Sequence, residues 1–288
     1  MPLFHPLKVN PSIMQLEPTN DCNSYCKICM RGFSDREVGY MEFEDFKRLP
    51  LKRFKEIAFH GWGEPLLHPD LFKMVSYVKS LGIKASVITN GILLGNKIEQ
   101  ILASNIDSLA VGIYTLNGKS KILNDVKRLK EEAKSRGNKL EILFDITIFL
   151  ENLDEIPEIV KVGKEVGVDG IVLHRLFNLH ERLKHIGYPS RDEEQKLFGK
   201  LKLLGKKLNI KVYLPTWKHE VPCRVVRNCV YVTWDCRQSP CCFLCEFGYF
   251  LGRVEEDPFK KHVDFIMRWM RDVEVCSCLL YTSPSPRD

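Results

Sequence analysis

Cys22, Cys26 and Cys29 form a C-x3-C-x2-C triad within Glu17-Pro-Thr-Asn-Asp-Cys-Asn-Ser-Tyr-Cys-Lys-Ile-Cys29. Three thiolates on one short loop can hold three irons of a [4Fe–4S] cluster, whose usual protein complement is four. The fourth iron then keeps a free position, and an iron with a free position can react. The same distinction separates catalytic from structural zinc. The competing chemistry is a zinc knuckle completed by a distant ligand, for which His60 and His68 are the candidates.

Other residues of chemical interest follow predicted strands. Gly61-Trp-Gly-Glu-Pro65 closes an apolar run, with Gly63 able to admit close backbone approach. Read alone, it is equally a Gly/Pro turn with a solvated Glu64. Thr89-Asn90-Gly91 closes a β-branched run and reads equally as an ordinary turn. His174 and Arg175 end another strand; the arginine could pair with a ligand carboxylate or remain a solvated charge. The eleven cysteines fall into two groups, one at 22–29 and one from 223 onward. A disulfide framework would rarely leave such a gap, whereas metal ligation at two places explains it.

The elements that must position these groups alternate. Residues 12–17 read as a strand, 56–60 and 83–89 as two more, then 109–114, 140–150 and 170–173. Helices are predicted near 43–49, from Leu71 to a stop at Gly82, over 95–103, from Ile122 to Gly137, and from Asp154 to Gly167. Ser190 and Glu193 make a capping box for a helix reaching Leu208. Six strand–helix units predict a parallel α/β sheet with right-handed crossovers, either an incomplete barrel or an open doubly wound sheet. Both designs place functional residues at the C-terminal ends of the strands. Beyond Leu214 the pattern predicts a strand at 230–234, a turn, a return strand at 239–243, and a helix whose face carries Phe259, Val263, Ile266 and Met270.

With 288 residues, 44% hydrophobic, the chain can bury one large core. The net charge of +6 comes from 43 basic and 37 acidic side chains without a basic stripe, so a nucleic-acid partner is not expected. No apolar run approaches a membrane span and Met1-Pro-Leu-Phe-His-Pro lacks the plan of a signal peptide, so the expected location is cytoplasmic.

The triad after a strand, followed by Gly-Trp-Gly-Glu-Pro, resembles the signature of the radical S-adenosylmethionine (radical SAM) superfamily. That resemblance implies a partial (β/α)6 TIM-type barrel over residues 1–214. It implies a [4Fe–4S] cluster on the catalytic cysteines Cys22, Cys26 and Cys29, with SAM chelating the open iron through its amino and carboxylate groups. Reductive cleavage of SAM would give a 5′-deoxyadenosyl radical that takes hydrogen from a substrate. Gly63 and Glu64 would contact the SAM amino group, through backbone and carboxylate. Asn90 would lie on the next SAM-facing turn. Ile28 occupies the adenine-contacting position, where an aromatic residue is usual. Arg175 would meet a SAM or substrate carboxylate. The fourth strand departs from the family's Ser-x-Asp-Gly ending, reading Val111-Gly-Ile-Tyr-Thr-Leu-Asn-Gly118, so no SAM contact is implied there.

Residues 215–277 resemble a twitch or SPASM module, a small Cys-rich α+β unit. The match implies an auxiliary [4Fe–4S] cluster on Cys223, Cys241 and Cys276. Cys229, Cys236, Cys242 and Cys245 are extra: buried or free thiols, or parts of a rearranged or second site. Cys236 stands at a turn position where glycine is usual. The motifs look most like the tungsten-oxidoreductase maturase subgroup and its peptide-modifying relatives. Such enzymes act on a peptide, protein or cofactor-precursor substrate and draw electrons from a reductant such as ferredoxin or flavodoxin. The alternative is a non-catalytic iron–sulfur or zinc-binding electron-transfer protein. The last eleven residues, 278–288, can be back-translated into a sequence that resembles a transposon-type sequencing adapter. The expectation is that they are foreign and that the fourth auxiliary ligand lies past the junction, against a natural Ser/Pro-rich tail.

Overall fold

In the computed structural model, residues 11–176, 183, 185–215, 224–254 and 257–269 are described. β1 (Ile13–Leu16), β2 (Glu56–Phe59), β3 (Lys84–Thr89), β4 (Ser108–Gly112), β5 (Glu141–Ile148), β6 (Gly170–Arg175) and β7 (Lys211–Tyr213) run parallel. α1 (Phe43–Arg48), α2 (Leu71–Ser80), α3 (Ile98–Ala103), α4 (Ser120–Ser135), α5 (Ile156–Val166) and α6 (Arg191–Leu208) stand between successive strands. The chain ends in α7 (Arg224–Asn228), β8 (Cys229–Val232), β9 (Gln238–Ser239), α8 (Cys242–Glu246) and α9 (Pro258–Trp269).

The sheet order is β7-β6-β5-β4-β3-β2-β1-β8-β9. β7 extends the expected six strands on one side. On the other, β8 lies parallel to β1, with Ile13 opposite Cys229, and only β9 turns back antiparallel. The hairpin expected in a separate module is thus continuous with the barrel sheet. The return strand predicted over 239–243 is also corrected: pairing stops at Ser239, and Cys242 opens a helix instead. The predicted helix at 95–103 begins later, at Ile98, after a 3-10 turn over Leu94–Asn96.

Strand periodicity sorts the side chains onto two faces. Met14, Leu16, Ile57, Phe59, Val87, Leu109, Val111, Phe144, Ile146 and Leu173 point toward the helices and form the main core, each at most 2% exposed. Each such burial contributes about 1.5–3 kcal/mol. Leu71, Val75 and Val78 of α2, and Val126 and Leu129 of α4, close that core from outside. The stop signals work as read: Gly167 takes the left-handed conformation at φ 86° after α5, and Ser190 with Glu193 forms the capping box of α6. No helix among the described residues is long and apolar enough to cross a membrane.

Candidate active site

The cysteine loop leaves β1 at the C-terminal ends of the strands, where its first residues are pinned. Glu17 is fully buried; its carboxylate takes two bonds from Arg36, at 2.7 and 2.8 Å, and one from the Tyr231 hydroxyl at 2.8 Å. Thr19 donates its hydroxyl to the Gly39 carbonyl, and Asn20 holds the Gly39 N–H and the Glu37 carbonyl. Arg31 returns to the Asn20 carbonyl at 2.7 Å. At Gly39 a Cβ would lie 2.4 Å from the Trp234 ring, so the β8–β9 turn braces the loop through a contact only glycine permits. The path to the cysteines is fixed by side-chain hydrogen bonds rather than by regular structure.

The turn after β2 locks against this loop. The Glu64 N–H donates to the Asp21 carbonyl at 2.7 Å. A Cβ on Gly63 would sit 2.1 Å from the Thr19 carbonyl oxygen, so no other residue fits. The Glu64 carboxylate points inward and is 2% exposed. It accepts from Leu66 N–H at 2.9 Å, the Thr89 hydroxyl at 2.7 Å and Asn90 N–H at 2.7 Å. Burial pushes its pKa up, against those hydrogen bonds. The expectation of a carboxylate facing a ligand is therefore corrected: Glu64 clamps the end of β3 to the end of β2. Asn90 does face the loop, its amide 3.7 Å from the Cys22 sulfur and 2.8 Å from Asn23 Oδ1.

Cys22, Cys26 and Cys29 are free and half-buried. Burial pushes the Cys29 thiol up to about 11 and raises that of Cys22, opposed in both cases by the nearby Arg31 charge. Soft, unpaired sulfurs on one loop suit iron. Among the described residues, no three His, Cys, Asp or Glu side chains gather around one ion. Sulfurs that bind separate irons need no such convergence, whereas zinc ligands do. The proposed fourth zinc ligands are committed elsewhere. His68 donates from Nε2 to the Met41 carbonyl and accepts the Asp70 N–H at Nδ1, while His60 Nδ1 faces Gln15 at 3.2 Å. The donor set fits the cluster and not the knuckle.

Two further expectations change. Arg175 does not face the ligand region: its guanidinium embraces Glu194 of α6 at 2.7 and 3.1 Å, in a pair 10% and 1% exposed. Tyr188 shares the same carboxylate. The residue is neither a solvated charge nor an open carboxylate receptor. Ile28 packs at the mouth against an apolar cluster of Met30, Phe149, Leu176, Leu183 and Ile186, with Trp62 and Tyr114 at its edge. Aliphatic Ile28 can offer only apolar contact where a ring would stack.

In the C-terminal region, Cys241 is buried and Cys223 and Cys276 lie outside the described residues. Cys236 takes φ 61° at the β8–β9 turn, the left-handed conformation glycine would hold more cheaply. Cys242 accepts from Gln15 and is pushed up to about 12 by burial.

The sequence singles out His60 and His174 one at a time but not the inner strand face they share with Gln15, Tyr114 and Asp145. Gln15, His60, Tyr114, Asp145 and His174 lie on the face opposite the core residues and line the barrel lumen. His174 Nε2 meets Asp145 Oδ1 at 2.8 Å. The His174 side chain is 54% exposed. Their signal was present as polar residues interrupting apolar runs, in Ile142-Leu-Phe-Asp-Ile and Ile171-Val-Leu-His. Two surface hollows, one beside Leu51 and Tyr77 and one beside Ile106 and Asn138, lie at the opposite ends of the strands, away from the cysteines.

Comparison with known proteins agrees with this geometry. The sequence pattern of the Radical SAM superfamily matches residues 16–188. The chain is 26% identical over 249 residues to the tungsten-containing aldehyde ferredoxin oxidoreductase cofactor-modifying protein of Pyrococcus furiosus, covering 79% of this chain and 70% of that one. Its fold is similar to Streptococcus suis SuiB bound to S-adenosylmethionine, with TM-score 0.68 at 16% identity, over 81% of this chain and 60% of SuiB. It is also similar to anSMEcpe bound to AdoMet and the Cp18Cys peptide, with TM-score 0.63 at 16% identity, over 88% of this chain and 80% of that one. The chain thus spans about three fifths of the length of SuiB. This chain belongs to the radical SAM superfamily. It is an enzyme of that type, with SAM and a [4Fe–4S] cluster as its cofactors.

Proposed function

We propose that this chain is a maturase-type radical SAM enzyme whose cluster is held by Cys22, Cys26 and Cys29, and whose substrate is a peptide, a protein or a cofactor precursor. The observation that carries the assignment is the lock between Glu64, Asp21 and Asn90. It brings the turns after β2 and β3 against the cysteine loop, so the open iron would face them. When bound, the cluster and SAM supply one-electron cleavage of a C–S bond and a 5′-deoxyadenosyl radical. The protein's part is to bind, orient and exclude water. The backbone at Gly63 and the Asn90 turn would receive the SAM amino acid end, while Ile28 and the apolar cluster beneath it would shield the adenosyl end from solvent.

Similarity to the P. furiosus protein supports a cofactor-related substrate, and the peptide-bound relatives support a peptide. The domain assignment belongs to the same proposal. Residues 1–214 form the barrel, and 215–277 carry an auxiliary [4Fe–4S] cluster on Cys223, Cys241 and Cys276, with β8 shared between them. Free thiols and oxygen-sensitive clusters require a reducing compartment, taken to be the cytoplasm, and a ferredoxin- or flavodoxin-like donor. The test is anaerobic cluster loading of the full-length chain, then dithionite and SAM. Formation of 5′-deoxyadenosine is expected; none forming in cluster-loaded protein would reject the enzyme reading.

A further inference from the structure

We propose that His60, Asp145 and His174 form a substrate subsite in the barrel lumen that takes an uncharged amide, either a peptide amide or a heterocyclic lactam. The inference rests on the reading above, in which the lumen receives the substrate.

The inner face of the sheet carries the small residues Ala58, Ala110, Gly112 and Gly170 beside the larger Ile88, Leu143 and Val172, whereas a fully packed barrel fills such positions mostly with bulky branched residues. The Tyr114 ring folds back over Gly112, its hydroxyl 3.2 Å from where a Cβ would stand, and its phenol hydrogen-bonds Thr147. Beside that ring, three polar side chains, His60 just past β2, Asp145 of β5 and His174 of β6, interact electrostatically.

Their hydrogen-bonding capacity is only partly used. The Gln15 amide nitrogen can only donate, so His60 Nδ1 accepts it and the ring proton sits on Nε2. Burial holds His60 down to about 4, so this ring is neutral. His174 gives Nε2–H to Asp145. Burial opposes its charge but the carboxylate outweighs burial, so its pKa is raised and the imidazolium favoured. The site then offers N–H donors from His60 Nε2 and His174 Nδ1, and an acceptor from the second oxygen of Asp145.

Charge selects the ligand. Asp145 and His174 together sum to zero and His60 adds none. An anion would meet Asp145 and a cation would meet His174. Either would lose its hydration without a net opposite charge to replace it. A neutral group carrying both C=O and N–H matches donors and acceptor at once. That group is an amide, and both candidate substrate classes contain it.

The test uses full-length protein labelled with 13C at histidine, titrated with N-acetylglycine N′-methylamide, 2-pyrrolidinone, acetate and inorganic phosphate. Ring signals of His60 and His174 are identified by His60→Gln and His174→Gln. Saturable shifts of both rings with either amide, and none with acetate or phosphate, are expected. The peptide amide alone would point to a peptide source, the lactam alone to a heterocycle. Asp145→Asn should weaken amide binding about tenfold, as expected for losing a hydrogen bond to a charged group. Stronger shifts with acetate or phosphate, no shift with any probe, or equal amide binding by Asp145→Asn would overturn the proposal. The wild-type probe comparison stands even if a variant fails to fold. Forming 5′-deoxyadenosine without binding amides would remove this inference and leave the enzyme reading intact. A protein that forms none would remove that reading whatever the probes do.

Discussion

The chain places cysteines in two settings that differ in what surrounds the sulfur. Cys22, Cys26 and Cys29 sit half-exposed on a loop held by its neighbours, with Asn90 and Ser24 as light polar contacts. Cys236 and Cys245 are buried among β8, β9 and α8. Cys245 already donates to the Cys242 carbonyl and to Glu246, and burial drives its pKa far up. A thiol presented by a braced loop is available to metal, while one absorbed into packing is a small apolar side chain with a weak donor. Cysteine count alone therefore overstates the metal sites, and surroundings divide the residues.

Substitutions can break this contrast. Cys26→Ala should take 5′-deoxyadenosine formation to background and remove roughly four irons per chain; retained iron and product would place the reactive cluster elsewhere. Glu64→Ala strips acceptors from Leu66, Thr89 and Asn90, and should lower unfolding stability by about 3 kcal/mol in a denaturant titration. A change within experimental error would show that the lock beside the loop is dispensable.

Acid should act next. His60 has a folded pKa of about 4 against an ordinary 6.5, so the unfolded chain binds its proton first. Stability contributed by neutral His60 is complete above pH 6.5 and is lost as pH falls toward 4, about 2 kcal/mol of it by pH 5. Comparing urea midpoints at pH 7 and 5 for wild type and His60→Gln checks this; equal losses would remove His60 from the account. The smallest effect is expected for Cys245→Ala, about 1 kcal/mol of packing with iron content unchanged. Lost iron there would make the buried thiol a ligand and erase the contrast between the two regions.

Local features were legible before the structure. The cysteine spacing, the Gly63–Glu64 turn and the Ser190–Glu193 capping box depend on residues close in sequence. The roles that went unread depend on long-range register. Arg175 finds Glu194 nineteen positions later, in the first turn of α6, where periodicity marks only a charged helix position. Glu64 could be identified, but not that its carboxylate turns inward to β3. Asp145 and His174 look like isolated polar residues in apolar strands until β5 and β6 pair and place both on the inner face. β8 joined the barrel because its register follows β1, more than two hundred residues earlier.

The central claim is an iron left open by three loop cysteines, and binding of SAM to that iron tests it most directly. The measurement is pulsed electron–nuclear double resonance on the dithionite-reduced, cluster-loaded chain with SAM labelled with 17O in its carboxylate. The account predicts hyperfine coupling from the label to the cluster, absent in Cys26→Ala. A cluster-loaded wild-type protein whose signal shows no coupling to the labelled carboxylate would contradict it.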